Sequence, residues 1–108
     1  MTDVAKITTS KWDIIDYLKT EEEMALYLSV ALEEDDIAFF NIALGDVARA
    51  KGMTEVARAA GLGRESLYKG LSEQGNPEFA TVLKVLRALG LGFTVAPLSA
   101  EARTAIEA

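Results

Sequence analysis

Five side chains able to read a planar, polar ligand fall within six positions of this 108-residue sequence: Arg64, Glu65, Ser66, Tyr68 and Lys69. A guanidinium makes paired hydrogen bonds to planar acceptors, and a carboxylate accepts from an amino group. Hydroxyl, phenol and ammonium groups serve base edges or phosphate oxygens. Ser66 and Lys69 also form an S-x-x-K pair, which sets a hydroxyl beside an amine on one helical face, the arrangement of some acyl-transfer enzymes. The companion S-D-N and K-T-G elements are missing, and a small helical chain offers no wall for an oxyanion, so no enzymatic activity is expected. Histidine and cysteine are both absent, which excludes Ser-His-Asp and Cys-His nucleophiles, thiol redox chemistry and zinc sites.

The formal net charge of −6 argues at first against a polyanionic ligand. Its distribution reverses that argument. Residues 1–48 hold 3 basic and 11 acidic side chains, residues 49–71 hold 5 and 2, and residues 72–108 hold 3 and 4. Arg49, Lys51, Arg58, Arg64 and Lys69 therefore make the only net positive stretch, as phosphate neutralisation requires. The run Glu33, Glu34, Asp35 and Asp36 resembles a cation site only superficially, because oxygen cages draw ligands from spaced positions around a turn glycine. It reads as solvated helix ends, and neither metal nor cofactor is expected. The length suits one domain, no apolar window is long enough to span a membrane, and the first residues carry no basic-then-apolar leader. A cytoplasmic protein is expected.

The elements that position these groups follow from periodicity and caps. Residues 1–11 are polar and aperiodic, and are expected to form a flexible arm. Asp13 is placed to cap a short helix over 14–19, with Trp12 and Tyr17 stapling its start. Thr20 with Glu23 makes a capping box for a helix over 21–33, and Ile37, Phe40, Leu44 and Val47 repeat through a helix that stops at Gly52. Thr54 is expected to cap a short helix over 55–60, and Arg64 to Leu71 reads as another. The apolar series Phe79, Val82, Leu83, Val85, Leu86 and Leu89 predicts a helix at the centre of the core, closed by Gly90. Alternation at Leu91, Phe93 and Val95 predicts a short strand ended by Pro97, and Ser99 is placed to cap a last helical turn.

Between the two short helices the spacing has geometric content. Ala57 is small enough for two helices to cross closely, Gly61 permits the positive φ of a tight turn, and Leu67 turns the second helix back on the core. Val56, Ala60 and Leu62 fill the other inward positions. Arg64, Glu65, Ser66, Tyr68 and Lys69 are left on the outer face.

These stretches also resemble a known family. Trp12-Asp13-Ile14-Ile15-Asp16-Tyr17-Leu18 before an acidic helix, the segment 43–53 beginning Ala43-Leu44-Gly45-Asp46, the segment Gly61-Leu62-Gly63-Arg64-Glu65-Ser66-Leu67-Tyr68-Lys69, and the segment 75–91 beginning Gly75-Asn76-Pro77-Glu78-Phe79 are similar to the addiction-module antidote proteins. These are HigA-type antitoxins with an Xre-like helix-turn-helix of the phage repressor group. The resemblance implies an all-α, five-helix lambda-repressor-like domain that binds double-stranded operator DNA as a homodimer. It further implies repression of the protein's own operon and neutralisation of a RelE/ParE-like cognate toxin. The expected organisation is an arm (1–11), a helical extension (12–35), the helix-turn-helix domain (36–91) and a strand and tail (92–108). Gly70 and Gly63 depart from the pattern, standing where related repressors place an apolar residue and a polar cap. With the second helix in the major groove, Arg64, Glu65, Ser66, Tyr68 and Lys69 are the expected base contacts, and Thr54, Arg49, Lys51 and Arg58 the expected phosphate contacts. The competing reading is a protein-interaction module without DNA binding, its acidic half suited to a basic partner.

Overall fold

The computed structural model describes residues 11–107, with side chains from 14 to 106. Its elements are α1 (Lys11–Tyr17), α2 (Glu21–Glu33), α3 (Ile37–Lys51), α4 (Met53–Ala60), α5 (Arg64–Gly70), α6 (Phe79–Ala88) and α7 (Ala100–Glu107). The described chain is all helical, and no helix in it is long and apolar enough to cross a membrane. The expected arm lies outside the described residues except for Lys11, where α1 begins.

Local chemistry sets most helix ends. The Thr20 hydroxyl accepts from the Glu23 N–H at 3.1 Å, while the Glu23 carboxylate accepts from the N–H groups of Thr20 and Lys19, both at 2.9 Å. Two orphan backbone donors at the start of α2, those of Thr20 and Glu23, are thereby satisfied. Asp36 starts α3 by accepting from the Phe39 N–H at 3.1 Å. At the far end of α4, Gly61 takes φ +71°, and the Leu62 N–H reaches back to the Ala57 carbonyl at 2.9 Å. Gly90 repeats that stop after α6 at φ +83°, with the Leu91 N–H on the Leu86 carbonyl at 2.8 Å. Both are left-handed glycine caps, a conformation that a Cβ disfavours. Ser99 caps α7 by accepting from the Ala102 N–H at 3.1 Å.

Four expectations need correction. α1 starts at Lys11, so Asp13 lies within the helix rather than capping it, and the expected staple residue Tyr17 is exposed; the Trp12 side chain lies outside those described. Thr54 does not cap α4, which begins at Met53 directly after Gly52. A single glycine both ends α3 and starts α4, and leaves no room for another cap. The centre of the core is α3 rather than α6. Phe40, Ala43, Leu44, Val47 and Ala48 of α3 are buried, and α1, α2 and α4 all pack on it. α6 supplies Val82, Val85 and Leu86 but presents Phe79 to solvent. Finally, residues 91–99 form no strand. A lone extended segment has no ladder partner, and its Phe93 instead meets Phe79 edge to face at 5.5 Å.

Candidate functional site

α5 projects the expected reading groups from a short, well-anchored helix. Leu67 is 2% exposed and locks it to the core with Val56, Ala57 and Leu71, while Leu62 packs against the same cluster. Ala60 is half-buried and Gly61 is exposed at the turn. Arg64, Glu65, Ser66, Tyr68 and Lys69 are all exposed. Gly63 precedes α5 without a side-chain cap, so the helix is held by its packing and by the tight turn.

Two guanidiniums converge on one ring. The Arg49 guanidinium carbon lies 5.4 Å from the centre of the Tyr68 ring, and that of Arg64 lies 5.6 Å from it. Both are within cation–π range, and each such exposed contact is worth about 0.5–1 kcal/mol. Thr54 lines the same shallow hollow, with Ile15 and Met53 as its apolar floor. One base-contact candidate and two phosphate-contact candidates thus surround Tyr68. Ser66 and Lys69 line a different hollow with Gly70, Ser72 and the loop at 74–76. Lys51 lines a third, on the α1–α2 side, beside Asp16 and Glu21. Arg58 is exposed on the last turn of α4. The expected cationic stretch is therefore split, and Arg49, Arg64 and Tyr68 are its compact part.

Two buried polar residues of α3 brace this surface, and neither is singled out for it by sequence reasoning. Asp46 is 4% exposed; it accepts a hydrogen bond from the Tyr27 hydroxyl at 3.0 Å and pairs with Arg49 at 3.9 Å. Burial, and then the adjacent Asp46 charge and hydrogen bond, raise the Tyr27 pKa, so the phenol stays protonated as the donor. Arg49 is thereby tied at one end to the core and presents its guanidinium to Tyr68. Asn41, 3% exposed, donates to the Gly75 carbonyl at 3.0 Å and so ties the loop that follows α5 to α3. The available signal was a pair of polar residues on inward positions of an otherwise apolar helix. A buried polar group must find a partner, so such residues mark places where something is being held.

The glycines complete the geometry. A Cβ on Gly45 would come within 2.7 Å of the Leu71 carbonyl oxygen, so this glycine lets α3 meet the end of α5. A Cβ on Gly75 would strike the backbone of Gly70. Among the described residues no group of three or more acidic side chains is arranged to hold a metal ion.

A family model described as "Probable addiction module antidote protein" matches residues 8–97. An uncharacterized protein of Haemophilus influenzae is 54% identical over 84 residues, covering 78% of this chain and 87% of that protein. No solved structure matches this chain.

Proposed function

Because this chain belongs to the family of probable addiction module antidote proteins, we propose that it is a DNA-binding antitoxin that represses its own operon and neutralises a RelE/ParE-like toxin. In this reading the chain carries a five-helix lambda-repressor-like domain of the HigA and Xre type, with residues 36–91 as its helix-turn-helix domain and residues 12–35 as a helical extension. α4 and α5 form its helix-turn-helix, and the protein acts in the cytoplasm as a homodimer. The observation that carries the reading is the cluster in which the half-buried Arg49 of α3 meets the exposed Tyr68 and Arg64 of α5, a helix anchored from behind by Leu67.

Mechanism follows from that placement. α5 enters the major groove, where Arg64 makes paired bonds to guanine O6 and N7 and Glu65 accepts from cytosine N4 or orients Arg64. The Tyr68 ring supports the Arg64 guanidinium before contact, which lowers the entropy lost when Arg64 engages a base. Arg49, steadied by Asp46, and Thr54 approach the flanking phosphates, and Ser66 and Lys69 face the bases or phosphates beyond. Lys51 and Arg58 are outlying phosphate contacts. Ser66 and Lys69 have no catalytic part in this scheme. Two copies supply two half-sites, as an operator with matching symmetry requires.

Anisotropy titrations of the chain on its own promoter fragment and on scrambled DNA test this. Retention on the promoter alone, with a modest salt dependence set by few phosphate contacts, is the expected result. Equal, negligible binding to both fragments would leave the competing reading, an interaction module that does not bind DNA. The acidity of residues 20–48, which contain no Lys or Arg, is what favours that second reading.

A further inference from the structure

The α2–α3 corner carries a row of exposed apolar side chains. On α2, Leu26 is 65% and Val30 48% exposed, one helical turn apart, and Phe39 at the start of α3 is 40% exposed. Val30 and Phe39 line one shallow hollow together with Glu34 and Asp36, so the two helices present a continuous surface there. Ile37, 69% exposed, extends the apolar exposure on α3. Large exposed apolar side chains in one place mark an interaction surface rather than a solvated face.

Charge specifies the kind of partner. Glu22 lies one turn before Leu26, Glu33 follows Val30 by three residues, and Glu34 and Asp36 frame the hollow. Between Lys19 and Arg49 the sequence has eight carboxylates and no basic residue. An apolar row rimmed by carboxylates complements an apolar knob rimmed by Lys and Arg, and it repels DNA and acidic proteins. Position matters as well. Phe39 and Arg49 are ten residues apart on α3, about 15 Å along the helix axis. A partner seated at Phe39 therefore meets α3 about three turns before Arg49.

We propose that the α2–α3 corner, centred on Leu26, Val30 and Phe39, is the docking surface for the toxin, which presents a basic-rimmed apolar knob to it. The proposal rests on the antidote reading, and it adds the surface by which the toxin is held.

The test uses the full chain and the purified product of whichever adjacent reading frame encodes a small basic protein, titrated calorimetrically. Val30→Lys is expected to weaken binding at least tenfold, and Glu33→Lys with Glu34→Lys to weaken it and flatten its salt dependence. Both variants should keep the wild-type melting temperature and promoter retention, which separates lost docking from lost folding. Unchanged toxin affinity in both variants would overturn the docking surface while leaving the antidote function standing. Conversion of a dimer to a monomer by Val30→Lys would reassign the corner to a second copy of this chain. Failure of the wild-type chain to bind that protein at all would overturn the toxin reading and the docking surface together.

Discussion

Gly45 sits inside α3, where an alanine would ordinarily stabilise the helix by about 0.8–1.0 kcal/mol. Here the added Cβ would lie 2.7 Å from the Leu71 carbonyl oxygen and 3.1 Å from a guanidinium nitrogen of Arg49. Arg49 can swing aside, but Leu71 is backbone, held at the end of α5 by its N–H on the Leu67 carbonyl at 3.0 Å. Relief requires α5 to move away from α3, an overpacking cost of about 1–3 kcal/mol. The steric effect outweighs propensity, and Gly45→Ala is expected to destabilise the protein by about 1 kcal/mol net. The melting temperature should fall by about 4–8 °C for each kcal/mol in a domain of this size. Gly70→Ala is the matched control. It also lies in a helix, yet its Cβ would meet only the Pro77 Cβ at 3.7 Å, an ordinary contact. That variant should hold or raise the melting temperature, gaining up to about 0.5–1 kcal/mol. Thermal unfolding followed by circular dichroism measures both. A Gly45→Ala protein as stable as wild type, or a Gly70→Ala protein that loses as much, would refute the claim that close approach of α3 to α5 decides the residue at 45.

Four further outcomes are expected. Arg64→Ala should cost about 1–3 kcal/mol at one operator position and little elsewhere; anisotropy across single-base operator variants measures this, and an equal loss on every sequence would make Arg64 a phosphate contact. Asn41→Ala, which removes the donor to the Gly75 carbonyl, should destabilise by about 1–3 kcal/mol in urea unfolding and loosen the 72–76 loop. Tyr27→Phe takes a hydrogen-bond donor from the buried Asp46 and should cost a similar amount, about 1–3 kcal/mol, with weaker operator binding because Arg49 loses its fixed support. The bonds that Glu23 accepts from the backbone of Lys19 and Thr20 hold its pKa below the ordinary value of 4.5. That contribution is present above the unfolded-state pKa and is lost as pH falls through the lowered one. The melting-temperature gap between wild type and Glu23→Ala should therefore be wide at pH 7 and narrow as the pH falls below the ordinary carboxylate range, and a gap that does not change with pH would disprove the linkage.

Helix ends were the most legible part of the chain, because their chemistry is local. Thr20 and Glu23 lie three residues apart and need nothing else to cap α2, and Gly61 and Gly90 terminate helices by a conformation that only the backbone decides. Leu67 as the anchor of α5 was legible for a similar reason, since one apolar residue on a polar helix has one place to go. The Thr54 cap failed because Gly52 serves two helices at once, a compression that propensity cannot report. The strand at 91–95 failed because alternation describes a face, whereas a strand exists only with a neighbour to pair with.

By itself the amino-acid order determined that this protein is helical, where most of its helices begin and stop, that its positive charge is concentrated in 49–71, and that His and Cys chemistry is closed to it. These are matters of composition and of neighbours a few positions apart. Tertiary packing alone decided that Arg49 joins Arg64 at Tyr68 while Lys51 lines a separate hollow with Asp16 and Glu21, that Asp46 and Asn41 are buried braces, and that α3 lies at the centre. The reason is distance along the chain. Residues 15, 19 or 34 positions apart meet only when the core brings their helices together, and a one-dimensional pattern does not encode which face of α3 each neighbour will cover.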